Sequence, residues 1–291
     1  MALLLGHTDD SFLRDLWGFA SFQPDYASPS ESSARDVVPR HKRDIANWLT
    51  LIRNPLSKDK RRPYIVVHRS TANDNVLEVS LRLQGFLSSG HSLSPFGTWD
   101  GTALKAAMAS QRLLLHGGPN APAWITTLQR LNTLIAVLWS SMDTEPGTEP
   151  RLLRVAADTT LLLQRRVFIR TTTTGTSASN RTFPVEAAPY LETLKKMSSR
   201  WELTSPLPVG SWDGERLHRT SHAVLSTNDF IDVMVGIEVV YKGSEPRVYF
   251  NLERVVQVAE RGVDVAAALQ IPNPDTTVVG VAKRAADDIF G

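Results

Sequence analysis

The sequence predicts a mixed α+β fold, an internally duplicated helix–strand–turn–helix module followed by a C-terminal antiparallel β pair. Three observations carry that expectation. Apolar residues recur at helical spacing in some segments and alternate in others. Two landmarks appear twice in the same order. Two β-rich runs, 230–242 and 247–258, flank the turn Gly243-Ser244-Glu245-Pro246.

In chain order, a first helix is expected over 8–20. The Thr8 hydroxyl can cap a turn opened by Asp9 and Asp10, and Phe12, Leu13, Leu16, Trp17 and Ala20 share one side. Pro24, Pro29 and several serines make 23–33 a connector. Ile45, Trp48, Leu49 and Ile52 predict a helix over 44–52, stopped by Asn54-Pro55. After that breaker, Arg61 to His68 form a β-rich run. Residues 76–83 alternate, with Leu77, Val79, Leu81 and Leu83 on one side. Helices are expected over 102–115, ended by Gly117-Gly118-Pro119, and over 124–139. Pro146, Gly147 and Pro150 mark 143–150 as a linker. Beyond it come a helix over 152–163, a strand over 165–170 and a Ser/Thr-rich loop to 182. A helix over 188–200, a turn and helix from 210 to about Leu225, and a last helix near 278–290 complete the reading.

The duplication rests on paired landmarks. Arg61-Arg62-Pro63-Tyr64-Ile65 matches Arg165-Arg166-Val167-Phe168-Ile169, and Gly97-Thr98-Trp99-Asp100-Gly101 matches Gly210-Ser211-Trp212-Asp213-Gly214. Leucine follows each Trp-Asp-Gly at the same offset, as Leu104 and Leu217. Four segments result: 1–39, a helix and connector; 40–145 and 150–228, the two modules; and 229–291, the hairpin and final helix. In each module the tryptophan would anchor a turn to the core, with the aspartate as cap.

Composition bounds the function classes. The 291 residues are 42% hydrophobic and 21% charged, which is globular rather than disordered. Without cysteine there is no disulfide, thiolate metal site or cysteine nucleophile. Residues 1–6 lack the charge and length of an export signal, and no apolar run approaches the ~20 residues that span a bilayer. The expected location is the reducing cytoplasm or the inside of a virus particle.

Charge is segregated. Between Arg35 and Arg69 stand ten Lys/Arg and three Asp, a local +7 within a chain of net +2, so the remainder is −5. Arg40, Lys42, Arg43, Lys58, Lys60, Arg61 and Arg62, with Trp48 and Tyr64 near them, are the candidate binding residues. Such a cluster gains affinity for phosphates by releasing counterions, and aromatics can stack on unpaired bases. An acidic protein surface is the other partner it fits.

Catalytic patterns are weak. His68-Arg69-Ser70 and His218-Arg219-Thr220 have the form of two-histidine phosphoesterase pairs, where one imidazole accepts a proton and the other donates one. Arg69 and Arg219 interrupt the apolar frame such strands need. His218 and His222 have metal-compatible i,i+4 spacing, but no glutamate lies between them. His116-Gly117-Gly118 has no Gly-x-Ser-x-Gly partner, and no glycine-rich phosphate loop occurs. No catalytic, metal or cofactor residue is assigned. The expectation is a non-enzymatic assembly protein, a viral shell or nucleoprotein component, that contacts other subunits and nucleic acid and no membrane. The alternative is a hydrolase or transferase for a phosphorylated substrate using His68 and His218.

Overall fold

In the computed structural model the described residues are 2–3, 38–39, 41–54, 62–69, 78–119, 121–142, 148–170, 183, 185–213, 217–243 and 245–262. Their elements, in chain order, are β1 (Ala2–Leu3), α1 (Lys42–Trp48), β2 (Leu49–Arg53), β3 (Tyr64–His68), β4 (Ser80–Leu87), β5 (Ser110–His116), α2 (Ala121–Ser140), β6 (Leu161–Arg166), β7 (Phe168–Arg170), α3 (Leu191–Met197), β8 (Trp201–Leu203), β9 (Val209–Trp212), β10 (Leu217–Arg219), β11 (Phe230–Lys242) and β12 (Glu245–Ala259).

Pairing closes five of these strands on themselves. β4 pairs antiparallel with β5, β5 with β6, β11 with β12 and β11 with β4, while β12 runs parallel to β6. Numbered one to five along the chain, β4, β5, β6, β11 and β12 give the cyclic order 1-2-3-5-4-1. That is the order of an OB-fold-like barrel, a partly open five-stranded Greek key. Two seams are short, Phe86 and Leu87 against β5 and Asn251 against Gln164. β3 and β2 extend the sheet beyond β11, β9 and β10 extend it beyond β12, and β1 lies beside β4.

Alternation explains the interior. Leu81, Leu83, Leu113, Leu115, Leu161, Leu163, Ile231, Val233, Val235, Phe250 and Leu252 are buried in one cluster, drawn from all five strands. α2 closes that interior. Its buried positions include Trp124, Leu128, Leu131, Leu134, Ile135 and Leu138, the i, i+3, i+4, i+7 spacing of one helix side, and Pro122 sits harmlessly in its first turn. Trp124 is fully buried, and its Nε1 donates to the Thr159 carbonyl at 2.8 Å. Burying each such side chain is worth about 1.5–3 kcal/mol.

A second core lies outside the barrel. It joins the β4–β5 connection (Phe96, Trp99, Ala106, Ala109) to the segment after β6 (Val167, Phe168, Ala187, Leu194, Met197). Trp99 is its centre, with ring centroids 4.9 Å from Phe168, 5.1 Å from Tyr190 and 5.6 Å from Phe96. The turn into it needs Gly97, whose φ is 52° and whose added Cβ would stand 2.2 Å from the Ser110 carbonyl oxygen. Asp100 accepts from Thr102 N–H at 3.1 Å and Thr102 Oγ1 at 2.7 Å, and meets Lys105 at 2.7 Å. Lys105, then Thr102, hold its carboxyl down to about 2.

Several expectations are corrected. The segment 102–115 is no helix: a 3₁₀ turn over Ala103–Met108 precedes strand β5. Residues 152–163 are irregular until β6 begins. The helix expected up to Leu225 is strand β10 and a short 3₁₀ turn, His222–Val224. Of 44–52, only the first part is helical, and β2 takes over at Leu49. The expected helices over 8–20 and 278–290 lie outside the described residues.

No duplication is shown. Trp99 is buried and opens a 3₁₀ turn, whereas Trp212 is half-buried and ends β9, paired with Leu217. Arg62 precedes an antiparallel strand beside β11, and Arg166 ends a strand parallel to β12. The barrel takes β4 and β5 from 40–145, β6 from 150–228, and β11 and β12 from 229–291. The mixed α+β class and the antiparallel pair stand: β11 and β12 pair from Phe230↔Ala259 to Lys242↔Glu245.

Candidate nucleic-acid interface

β5 and β6 are near mirror images in sequence. Gln111-Arg112-Leu113-Leu114-Leu115 meets Leu161-Leu162-Leu163-Gln164-Arg165 antiparallel, so leucine pairs with leucine three times and each arginine lies across from a glutamine. Alternation then sorts the pair. Leu113, Leu115, Leu161 and Leu163 enter the core, while Arg112, Leu114, Leu162, Gln164 and Arg166 lie on the outer side, with Ser110 on that side but buried. Leu162 is left 46% exposed.

The outer surface continues across the parallel seam, where Asn251 aligns with Gln164. On β12 and β11 the same side carries Tyr249 across from Glu238, and Arg247 across from Val240. These residues enclose a shallow cleft of about 210 Å³ whose lining includes Arg62, Arg112, Arg165, Arg166, Glu238 and Tyr249. The lining thus holds four arginines and one carboxylate. Met108, 68% exposed on the 3₁₀ turn before β5, stands at its edge, with Leu104 93% exposed one turn earlier.

Local bonds orient the cations. Arg112 Nε donates to Ser110 Oγ at 3.0 Å. Arg62 Nη1 lies 2.5 Å from Glu238 Oε1, which brings the residue before β3 over the β11 edge of the cleft. Arg165 Nη2 donates to the Ser205 carbonyl at 2.9 Å and to its Oγ at 3.0 Å. Burial lowers the Arg165 pKa, and the Glu253 carboxylate counters it. Glu253 is itself pushed up, first by burial, although Ser80 Oγ donates to it at 3.0 Å.

The predicted basic segment is divided. Arg62 lines the cleft. Lys42 and Arg43 are exposed on α1 and are not among the cleft residues. Arg40, Lys58, Lys60 and Arg61 lie outside the described residues. Sequence reasoning missed Arg112, Gln164, Arg166, Tyr249 and Asn251. One signal was available, the inverted match of Gln-Arg-Leu-Leu-Leu at 111–115 with Leu-Leu-Leu-Gln-Arg at 161–165.

The two histidines occupy different settings. His68 on β3 is buried edge-on against Trp48, centroids 4.8 Å apart. His218 on β10 is exposed, with Nε2 2.6 Å from Asp213 Oδ2. Neither lines the cleft. Among the described residues no helix is long and apolar enough to cross a membrane.

No protein family matches this sequence, and no curated protein does. Solved structures distantly similar to this chain include two at 9% identity each. One is gp2.5, a single-stranded DNA binding protein encoded by bacteriophage T7, matched over 62% of this chain and 92% of that one with a TM-score of 0.34. The other is a C-terminally truncated single-stranded DNA-binding protein from bacteriophage Enc34, matched over 72% and 95% with a TM-score of 0.31. The chain thus bears a distant structural similarity to phage single-stranded DNA-binding proteins.

Proposed function

We propose that this protein binds single-stranded nucleic acid, without catalysis, across the outer surface of β5, β6, β12 and β11. The observation that carries this is the cleft itself, four arginines around Tyr249 with Asn251 and Gln164 beside it. Arginines at that density neutralise phosphates, an aromatic ring offers a stacking platform to any base, and the amides can bond to base edges. In barrels of this topology the second and third strands form the surface that meets oligonucleotides. The cleft's own residues support the reading. Arg62 and the basic segment leading to it would extend the phosphate path. A shell-forming role has no observation of the fold in its favour.

Titration of a fluorescent oligothymidylate at several salt concentrations tests this. Each phosphate contact contributes about 0.7 to the slope of log affinity against log salt, so Arg112→Gln with Arg166→Gln should flatten it by about 1.4. The melting temperature should hold, since both residues end on the outer surface. Absence of salt-sensitive binding to single-stranded DNA and RNA alike overturns the reading and leaves an acidic protein surface as the partner of these charges.

A further inference from the structure

A larger cleft, about 470 Å³, opens in the module outside the barrel, between α3 and the β7–β8 pair. Phe168, Phe183, Leu194, Met197 and Trp201 supply its apolar wall, and Ser198, Glu202 and Ser205 its polar rim. Its volume lies within the roughly 300–1,000 Å³ of pockets that enclose a small organic ligand. We propose that this cleft takes one unstacked base of the strand bound on the barrel, and so extends the site onto the module. This rests on the nucleic-acid reading above.

Three observations carry it. First, one residue pair links the two linings: Arg165, which lines the barrel cleft, donates two hydrogen bonds to Ser205, which lines the module cleft. A strand leaving the arginines at this point meets the aromatic wall next. Second, the wall is of the type bases choose. Trp201 and Phe183 are only partly buried, so their rings are available to stack where a fully packed core ring is not. Third, cations stand close in sequence to the rim. Lys195 and Lys196 near the end of α3, and Arg200 just before β8, are exposed, although none of them lines the cleft itself. Glu202, which does line the cleft, repels phosphate but accepts a hydrogen bond from a base N–H, such as N3–H of thymine or uracil, which favours a base rather than a phosphate in the cleft itself.

The test uses the full chain and an oligothymidylate carrying 5-iododeoxyuridine at single positions. Irradiation should give adducts at Trp201 or Phe183 as well as at Tyr249, located by peptide mass. Ser198→Trp fills the cleft from its rim without removing a core residue. It should weaken oligonucleotide binding at least about fivefold, the lower end of what one stacked base contributes, with an unchanged melting temperature. Trp201→Phe should bind nearly as the parent and Trp201→Leu should not. Adducts at Tyr249 alone, with Ser198→Trp binding normally, overturn the subsite and leave the barrel reading intact. A Ser198→Trp protein that changes sedimentation but not binding overturns it in favour of a self-association surface. Failure of the parent protein to bind or cross-link at all overturns both.

Discussion

Two regions of the barrel's outer surface hold arginine on a strand, and they treat it in opposite ways. On β4, Arg82 alternates with the buried Leu81 and Leu83, so it lies on the side turned from the apolar interior, yet its side chain is 1% exposed. Its Nε donates to Asp232 Oδ1 at 3.0 Å and its Nη2 to Oδ2 at 2.5 Å, and Gln84 adds a bond to the same carboxylate at 2.6 Å. On β5 and β6, Arg112 and Arg166 occupy the equivalent outward positions and are exposed. Strand position therefore says which side an arginine is on, and only its neighbours say whether its charge is spent inside the fold or kept for a ligand. Burial lowers the Arg82 pKa while Asp232 raises it, and the guanidinium holds β4 to β11.

The largest effect should come from breaking the buried pair. Arg82→Met leaves Asp232 ionised without its partner, which costs about 3–5 kcal/mol, measured by denaturant unfolding. Adding Asp232→Leu should recover most of that loss, because well-packed apolar residues replace buried ion pairs at little cost. If the double variant is no better than the single one, the pair orients β4 and β11 in a way packing cannot replace. Neither change should alter the salt slope of binding.

On the ligand side the order reverses. Tyr249→Ala should weaken oligonucleotide binding by about 1–3 kcal/mol and barely move the melting temperature, since the ring is half-buried on the outer surface. Equal losses in both measurements would place Tyr249 with Arg82, as part of the fold.

The smallest effect sharpens the boundary between the two regions. Glu253 has its pKa raised by burial, so between the unfolded value and the raised one the native state binds more protons. Stability is then fully present below about 4.3, the ordinary glutamate value, and falls as pH rises through the folded pKa. Glu253→Gln should flatten that fall in a series of melting curves. A parallel pair of curves would mean that Ser80 and Arg165 have already cancelled the burial.

How far the fold was legible follows from its patterns. Alternation over 76–83 identified the inward side of β4 correctly. The C-terminal pair was legible because each strand is long and a Gly-Ser-Glu-Pro signal stands between them, although pairing takes Glu245 and Pro246 into β12 and leaves two residues between the strands. α2 was legible from its helical stripe. The failures fell on β5 and β6, which are the floor of the candidate site. Each holds three leucines in a row, a run with neither a period of two nor one of 3.6, and glutamine, arginine and leucine all favour helix when nothing else decides. With β5 and the first half of β6 read as helices, and Arg165 and Arg166 assigned to a separate strand, the outward arginines could not be gathered into one surface, and the basic cluster at 40–62 was the charge pattern left in view.

The sequence by itself determined the chemistry on offer: no thiols, an excess of arginine and lysine near the N-terminal third, a helix and a hairpin whose periodicities are local. The matched Trp-Asp-Gly triplets were also in the sequence, and they proved to be similar words in unlike structures, one packed in the second core and one closing a strand. Closure of the barrel, the sorting of each Leu-Leu-Leu run into buried and exposed members, and the meeting of Arg62, Arg112, Arg166 and Tyr249 were decided only in three dimensions. The physical reason is that a strand's hydrogen bonds belong to its partner. β6 is held by β5 on one edge and by β12 on the other, the latter from the far end of the described chain, and which leucine faces inward is a property of that pairing rather than of the run itself.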